Sequence, residues 1–239
     1  MGLRMGLRMG LRMGLRMGLL LLASCTSATI ADRDSGSEEI IVPEMAALDV
    51  LTRASLDLRG VRPSVEELEA ISADPDLLEE TVEGFLYDER FGERVRSLFS
   101  EIYLTRQDTW SVTAWDYGLE DEPAFAAAVG EEPLRILSTI AAEDLPYATI
   151  VTADWTVINE HLAGAWSVDY PEGETGWQKA RYTDGRPMAG ILSTNGLWWR
   201  YSSNTSNANR GRANALSRIL LCQNYLERGI TFDRDVDLL

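Results

Sequence analysis

The chain has 239 residues, 45% of them hydrophobic, and its 38 acidic residues outnumber 22 Lys and Arg to give a formal charge of −16. So acidic a surface repels phosphate backbones and argues against nucleic acid as a partner. One histidine, His161, and two cysteines, Cys25 and Cys222, leave no C-x-x-C, C-x-x-C-H, H-E-x-x-H, G-x-G-x-x-G or G-x-x-x-x-G-K pattern. This rules out most zinc, haem, dinucleotide and P-loop sites within the chain itself, and the sequence assigns no metal site and no catalytic residue.

Residues 1–16 are four copies of Met-Gly-Leu-Arg, a low-complexity repeat in which Met5, Met9, Met13 and Met17 each offer a start, and which is set aside in reading the fold. With Arg ahead of the apolar residues 18–22, the leader has the basic and short apolar regions of a secretory signal. It falls well short of the roughly 20 apolar residues of a membrane-spanning helix. Leu22-Ala23-Ser24-Cys25 resembles the lipobox of bacterial lipoproteins, in which the cysteine sulfur receives a diacylglycerol and becomes the mature N-terminus. Residues 1–24 therefore read as a lipoprotein signal peptide, Cys25 as the lipidated residue, and the membrane as a partner through that lipid alone. Two ester-linked chains and an N-acyl chain anchor stably, since each buried methylene contributes about 0.8 kcal/mol. Thr26 rather than Asp after the cysteine favours, in the Gram-negative proteins it resembles, the outer membrane, facing the periplasm or the cell surface. Residues 25–39, rich in Ser, Asp and Glu, read as a solvated tether. Without the four leader Arg the charge becomes −20, 18 basic against 38 acidic residues. About 215 residues remain, enough for one domain with a sizeable core or two small ones.

From residue 43 the pattern is helical. Met45, Leu48, Leu51 and Leu56 recur at helical spacing, and Gly60 is placed to end that helix in the left-handed conformation. Pro63-Ser64-Val65-Glu66-Glu67 starts the next, with Ser64 and Glu67 as a capping box. Further helices are expected at residues 75–87 and 89–103, the latter with Phe91, Val95, Leu98, Phe99 and Ile102 on one apolar face. Residues 40–104 thus form a small helical bundle, and the aromatic, polar residues 105–121 read as a linker or surface loop. A second helical domain with long loops, residues 122–239, follows. It has helices at 123–129 and 132–143, the second opening on Pro133, a helix at 155–165 capped by Asp154, an extended loop at 167–187, and a last helix at 207–228. That helix turns Ala213, Leu216, Ile219, Leu220 and Leu226 inward, and Cys222 is read as a core residue. The class is mainly α, with few or no strands.

Four stretches resemble, in order, a family of large secreted proteins from planctomycetes and myxobacteria, in which domains of unknown function accompany c-type cytochrome modules. They are Leu56-Asp-Leu-Arg-Gly-Val-Arg-Pro63-Ser-Val-Glu-Glu-Leu68; Phe85-Leu-Tyr-Asp-Glu-Arg-Phe91-Gly-Glu-Arg94; Val151-Thr-Ala-Asp154-Trp-Thr-Val-Ile-Asn159-Glu160-His-Leu162-Ala; and Gly190-Ile-Leu-Ser-Thr194 with Arg200, Ser203, Asn204, Arg210 and Gly211. The resemblance implies a cytochrome or another envelope protein as partner. It places haem c not on this chain but on a downstream extension or a partner chain.

Two groups of residues are candidates for a site. Trp198, Trp199, Arg200, Tyr201, Asn204, Asn207 and Arg210 combine stacking faces, amides and guanidiniums, the mix that binds a neutral polar ligand such as a polysaccharide or clamps a carboxylate. The alternative is a capped loop with core tryptophans before the last helix. Asp154, Asn159, Glu160 and His161 supply polar ligand atoms, although Asp154 is explained as a helix cap, and Glu160 and His161, adjacent on a helix, face different ways. The expectation is a lipid-anchored envelope protein acting as a non-enzymatic accessory or binding component of a cytochrome-associated surface assembly. The alternative is a secreted hydrolase or oxidoreductase acting on an envelope or extracellular glycan. Paired carboxylates of raised pKa in one cleft would favour the enzyme, and an aromatic groove without them would favour binding.

Overall fold

A computed structural model describes residues 45–203, 206 and 209–227. Residues 1–24, read from the sequence as a signal peptide, and residues 25–39, read as a tether, lie outside these residues. The chain is mainly helical. Residues 41–202 form one compact unit, and residues 203, 206 and 209–227 are the described part of a second.

The first unit opens with α1 (Ala47–Arg59), which ends where expected at Gly60 with a φ of 72°. Its Leu51 packs with Ile71 of α2 (Val65–Ala73) and with Phe85 to form the core of this end of the molecule. The capping box that starts α2 is present: Ser64 Oγ accepts from the Glu67 amide at 3.2 Å, and Glu67 accepts from the Ser64 amide at 2.7 Å. The helix expected over residues 75–87 is α3 (Leu78–Gly84) between two 3₁₀ turns, Pro75–Leu77 and Phe85–Tyr87. Asp88 then caps α4 (Glu89–Tyr103).

The Leu56–Leu68 phrase has a structural role that the sequence does not disclose. Arg59 is buried, and its guanidinium lies 3.6 Å above the Phe85 ring. It reaches both Glu67 carboxylate oxygens at 2.9 Å and donates to Ser55 Oγ, which itself donates to the Val61 carbonyl. Bidentate pairing of this kind fixes direction as well as distance. One carboxylate thus both caps α2 and ties it to α1. The Arg59 partnership also holds the Glu67 carboxyl below its ordinary pKa.

Along α4 the expected apolar face is only partly turned inward: Val95 and Tyr103 are buried, while Leu98 and Ile102 are exposed. Its other neighbour is α5 (Glu122–Ala142). Residues 105–121, which read from the sequence as a linker or surface loop, are in part packed. Trp110 and Ala114 are buried, and the Trp110 indole N–H donates to the Ala126 carbonyl at 2.9 Å.

In place of the two helices expected at 123–129 and 132–143, α5 runs unbroken for 21 residues. Ala-rich, it is buried from Phe125 to Ile140 on most of its faces, and this burial carries it through Pro133. Pro133 has no N–H to offer the Val129 carbonyl one turn earlier. That carbonyl lies against Gly196, where an added Cβ would come within 2.2 Å of its oxygen. Gly196→Ala is accordingly expected to force the two backbones apart and cost about 1–3 kcal/mol, as overpacking does. A thermal melt checks this, and a melting temperature unchanged within a degree would show that the contact is not tight.

The helix expected at 155–165 is also corrected. Thr156-Val-Ile, a β-branched run that favours extended backbone, forms β1 (Thr156–Ile158) with all three residues buried. It pairs antiparallel with β2 (Gln178–Ala180), Thr156 opposite Ala180 and Ile158 opposite Gln178. The short α6 (Thr149–Thr152) precedes β1 and α7 (Glu160–Ala165) follows it. The cap of α7 is Asn159, which accepts from the Leu162 amide, not Asp154. The turn Gly190–Ser193 leads to α8 (Asn195–Arg200).

In the second unit, α9 (Arg210–Leu221) is shorter than the helix expected at 207–228. Ala215, Ser217 and Ile219 are buried, Leu216 and Leu220 are half-buried, and Ala213 is exposed. Cys222, expected in the core, is exposed instead as the left-handed cap of α9, with a φ of 52°.

Candidate functional site

The N-terminal half of α4 and the C-terminal half of α5 leave between them a groove of about 440 Å³. Tyr87, Phe91 and Gly92 line one side, Arg135 and Thr139 the other, and Trp177, from the loop before β2, closes it. A neighbouring hollow of about 360 Å³ shares Glu89, Arg96 and Arg135 with it. Both volumes fall in the range of small-ligand sites. Gly92 lines the groove, where a Cβ would sit 3.3 Å from the Arg96 guanidinium.

The charges beside the groove are interlocked. Glu131 faces three guanidiniums: Arg106 Nε at 2.6 Å, Arg96 Nε at 3.4 Å and Arg135 Nε at 3.7 Å. Glu93 accepts from Arg96 at 2.7 Å and from Arg106 at 3.0 Å. Arg96 also donates to Ser138 Oγ at 3.3 Å. Arg135 differs from its neighbours: it stacks on Trp177 at 4.5 Å, its Nε is buried, and its guanidinium donates no hydrogen bond to any described residue. Burial, with Arg96 alongside, pulls its pKa down from the ordinary guanidinium value.

One turn before Arg135 on α5, Glu132 is completely buried. Its Oε1 accepts from Thr156 Oγ1 and from Tyr182 OH, both at 2.6 Å. The Asn195 amide approaches the carboxyl without reaching normal hydrogen-bond geometry, and Oε2 has no partner among the described residues. Burial pushes the carboxyl up to about 7, against the two hydroxyl bonds and the charge of Arg186, which hold it down. Arg186 stacks on Tyr182 at 3.9 Å, donates to the Ser193 carbonyl and the Asn195 side chain, and pairs with Asp184 at 2.6 Å. A carboxyl so enclosed presents no surface to a solute.

The residues singled out from the sequence lie elsewhere. Trp199 packs with Trp110 and Trp166, ring centroids 6.2 Å apart in each case. The Trp198 indole donates to the Leu192 carbonyl, Arg200 to the Leu104 carbonyl and Tyr201 to the Tyr103 carbonyl. Arg210, at the start of α9 in the second unit, donates to the Ser206 carbonyl. Asn204, Asn207 and Cys25 lie outside the described residues. Asp154 is exposed and pairs with Arg181, while Glu160 accepts from the Gly176 amide at 2.7 Å. That bond and the one to its own amide hold the Glu160 carboxyl below its ordinary pKa. His161 follows it on α7, half-buried. Among the described residues no three of His, Cys, Asp and Glu come together as metal ligands.

Sequence reasoning misses Arg96, Arg135, Trp177 and Glu132. For Glu132 a signal exists: Phe125, Val129, Glu132, Ile136 and Ile140 share one helical stripe, so a carboxylate stands at a core position. For the groove there is none, because its parts lie more than 80 residues apart from Tyr87 to Trp177 and meet only through packing. Compared with known proteins, the chain matches no family model, no curated protein and no solved structure.

Proposed function

We propose that this chain is a lipid-anchored cell-envelope protein that acts by binding, with the α4–α5 groove as its ligand site. Arg135 carries the reading: a guanidinium set in a groove, stacked on Trp177, with its donors unused by the described fold. Binding is favoured over catalysis because, among the described residues, the carboxyl raised to about 7 is sealed inside the molecule rather than exposed in the groove. The groove is favoured over the 198–201 segment because the Trp198 indole, the Tyr201 hydroxyl and the Nε of Arg200 bond backbone carbonyls. Anchoring rests on Leu22-Ala23-Ser24-Cys25, and a c-type cytochrome partner rests on the four resembling phrases.

The anchor is tested by metabolic labelling with an alkyne fatty acid in a Gram-negative host. The wild-type chain is expected to label and to fractionate with membranes, and Cys25→Ser to lose both. Labelling that survives the exchange removes the anchor. The groove is tested by tryptophan emission during titration with envelope polysaccharide fractions. A saturable change that disappears in Trp177→Phe supports it, and one that persists unchanged places binding elsewhere.

A further inference from the structure

We infer that the α4–α5 groove takes ligands through an anionic oxygen group, a carboxylate or a phosphate, held by Arg135 with Arg96 beside it; this rests on the groove being the ligand site. Arg96, Arg106 and Arg135 surround two carboxylates, Glu93 and Glu131. Within this cluster of five groups one positive charge is therefore left over, in a chain whose total is −16. The geometry identifies whose charge it is. Arg96 and Arg106 both donate to Glu93, and Arg106 also to Glu131, whereas Arg135 comes no nearer than 3.7 Å to Glu131 and donates to nothing described.

A guanidinium has five N–H donors, and holding it partly out of water without partners is unfavourable. Stacking on Trp177 covers one face of the guanidinium but leaves its in-plane donors, the ones that pair bidentately with a carboxylate or phosphate. An anion would complete the three-to-two cluster and satisfy those donors together. Of the other carboxylates at the groove, Glu143 is engaged by Lys179 at 2.6 Å, while Asp88, 3.6 Å from Arg59 and 3.7 Å from Arg90, is paired only loosely and opposes an anion in part. Glu89, exposed at the rim, opposes an anion weakly across water and disfavours dianions more than monoanions.

The test follows the arginine Nε–Hε and tryptophan indole resonances of the ¹⁵N-labelled chain during titration with D-glucuronate, inorganic phosphate and neutral D-glucose. The expected result is a saturable shift of Arg135 with glucuronate, phosphate or both, and none with glucose. The responding probe tells carboxylate from phosphate. Arg135→Met, which keeps the apolar stem, should weaken binding about tenfold or more while leaving the melting temperature unchanged, since Glu131 retains Arg96 and Arg106. Arg135→Lys, which keeps the charge but not the fork, should fall between and serves if the Met variant does not fold. If neutral sugar moves the Trp177 indole while no anion moves Arg135, the anion inference is overturned and the groove survives. If no probe moves either residue, both are overturned. An anion response that persists in both variants also overturns the assignment to Arg135.

Discussion

Arg59→Ala is expected to destabilise the described part of the 41–202 unit by about 2–3 kcal/mol, somewhat less than removing one partner of a fully buried ion pair, because Glu67 keeps about a quarter of its side chain exposed. With Arg59 gone, Glu67 keeps its cap on α2 but loses both guanidinium bonds, Phe85 loses its stacked cation, and Ser55 loses a donor. For a unit of this size that is a fall of roughly 4–12 °C in melting temperature. Arg59→Lys should recover little, because an ammonium cannot bridge both carboxylate oxygens in plane. The control is Arg53→Ala: Arg53 pairs with Asp57 at 2.7 Å, but both side chains are at least half exposed, so the loss should stay within about 0.5 kcal/mol. Equal melting temperatures for the two variants would sink the claim that Arg59 locks α1 to α2.

The second large effect is a dependence of stability on pH that originates at Glu132. Its folded pKa, about 7, lies above the ordinary 4.5. Below 4.5 the carboxyl is protonated in both folded and unfolded chains and carries no penalty. Between 4.5 and 7 the unfolded chain releases the proton while the folded one keeps it, so stability falls as pH rises through this window and levels off above it. The full loss is about 3 kcal/mol, since each pH unit separating the folded and unfolded pKa values contributes about 1.4 kcal/mol. Carboxylates with lowered pKa, such as Glu67 and Asp184, act in the opposite sense at lower pH. The quantity to measure is therefore the difference between the wild-type chain and Glu132→Gln in urea melts from pH 4.5 to 8. Glu132→Gln should match the wild type at pH 4.5 and exceed it at pH 8. A constant difference across the range would mean that Glu132 ionises normally.

What the sequence reveals here follows the range of the interactions concerned. The Ser64–Glu67 capping box, the Gly60 stop and the helical class are set by residues within a turn or two of one another, and all are present. Asp154 does not serve as a cap because the β-branched Thr156-Val-Ile run prefers extended backbone, which leaves Asn159 at the start of α7. Pro133 reads as a helix start because it lacks an N–H. The packing of α5 on most of its faces, and Gly196 lying against the Val129 carbonyl, outweigh that one lost bond. Arg59 stands inside a recognised phrase, but its partner Glu67 is legible in the sequence only as a capping residue. The groove could not be read at all, since Arg135 is one of many helix arginines until Trp177 and Arg96 are brought beside it.

The most direct test of the groove as the binding site is affinity electrophoresis of the chain without its leader, through gels containing polygalacturonate or neutral dextran. Wild-type protein, Arg135→Met and Asn204→Ala would be run side by side. Retardation of the wild type by polygalacturonate, abolished in Arg135→Met and kept in Asn204→Ala, is the expected result. Retardation kept in Arg135→Met and lost in Asn204→Ala would contradict it and return the site to the segment after Trp199.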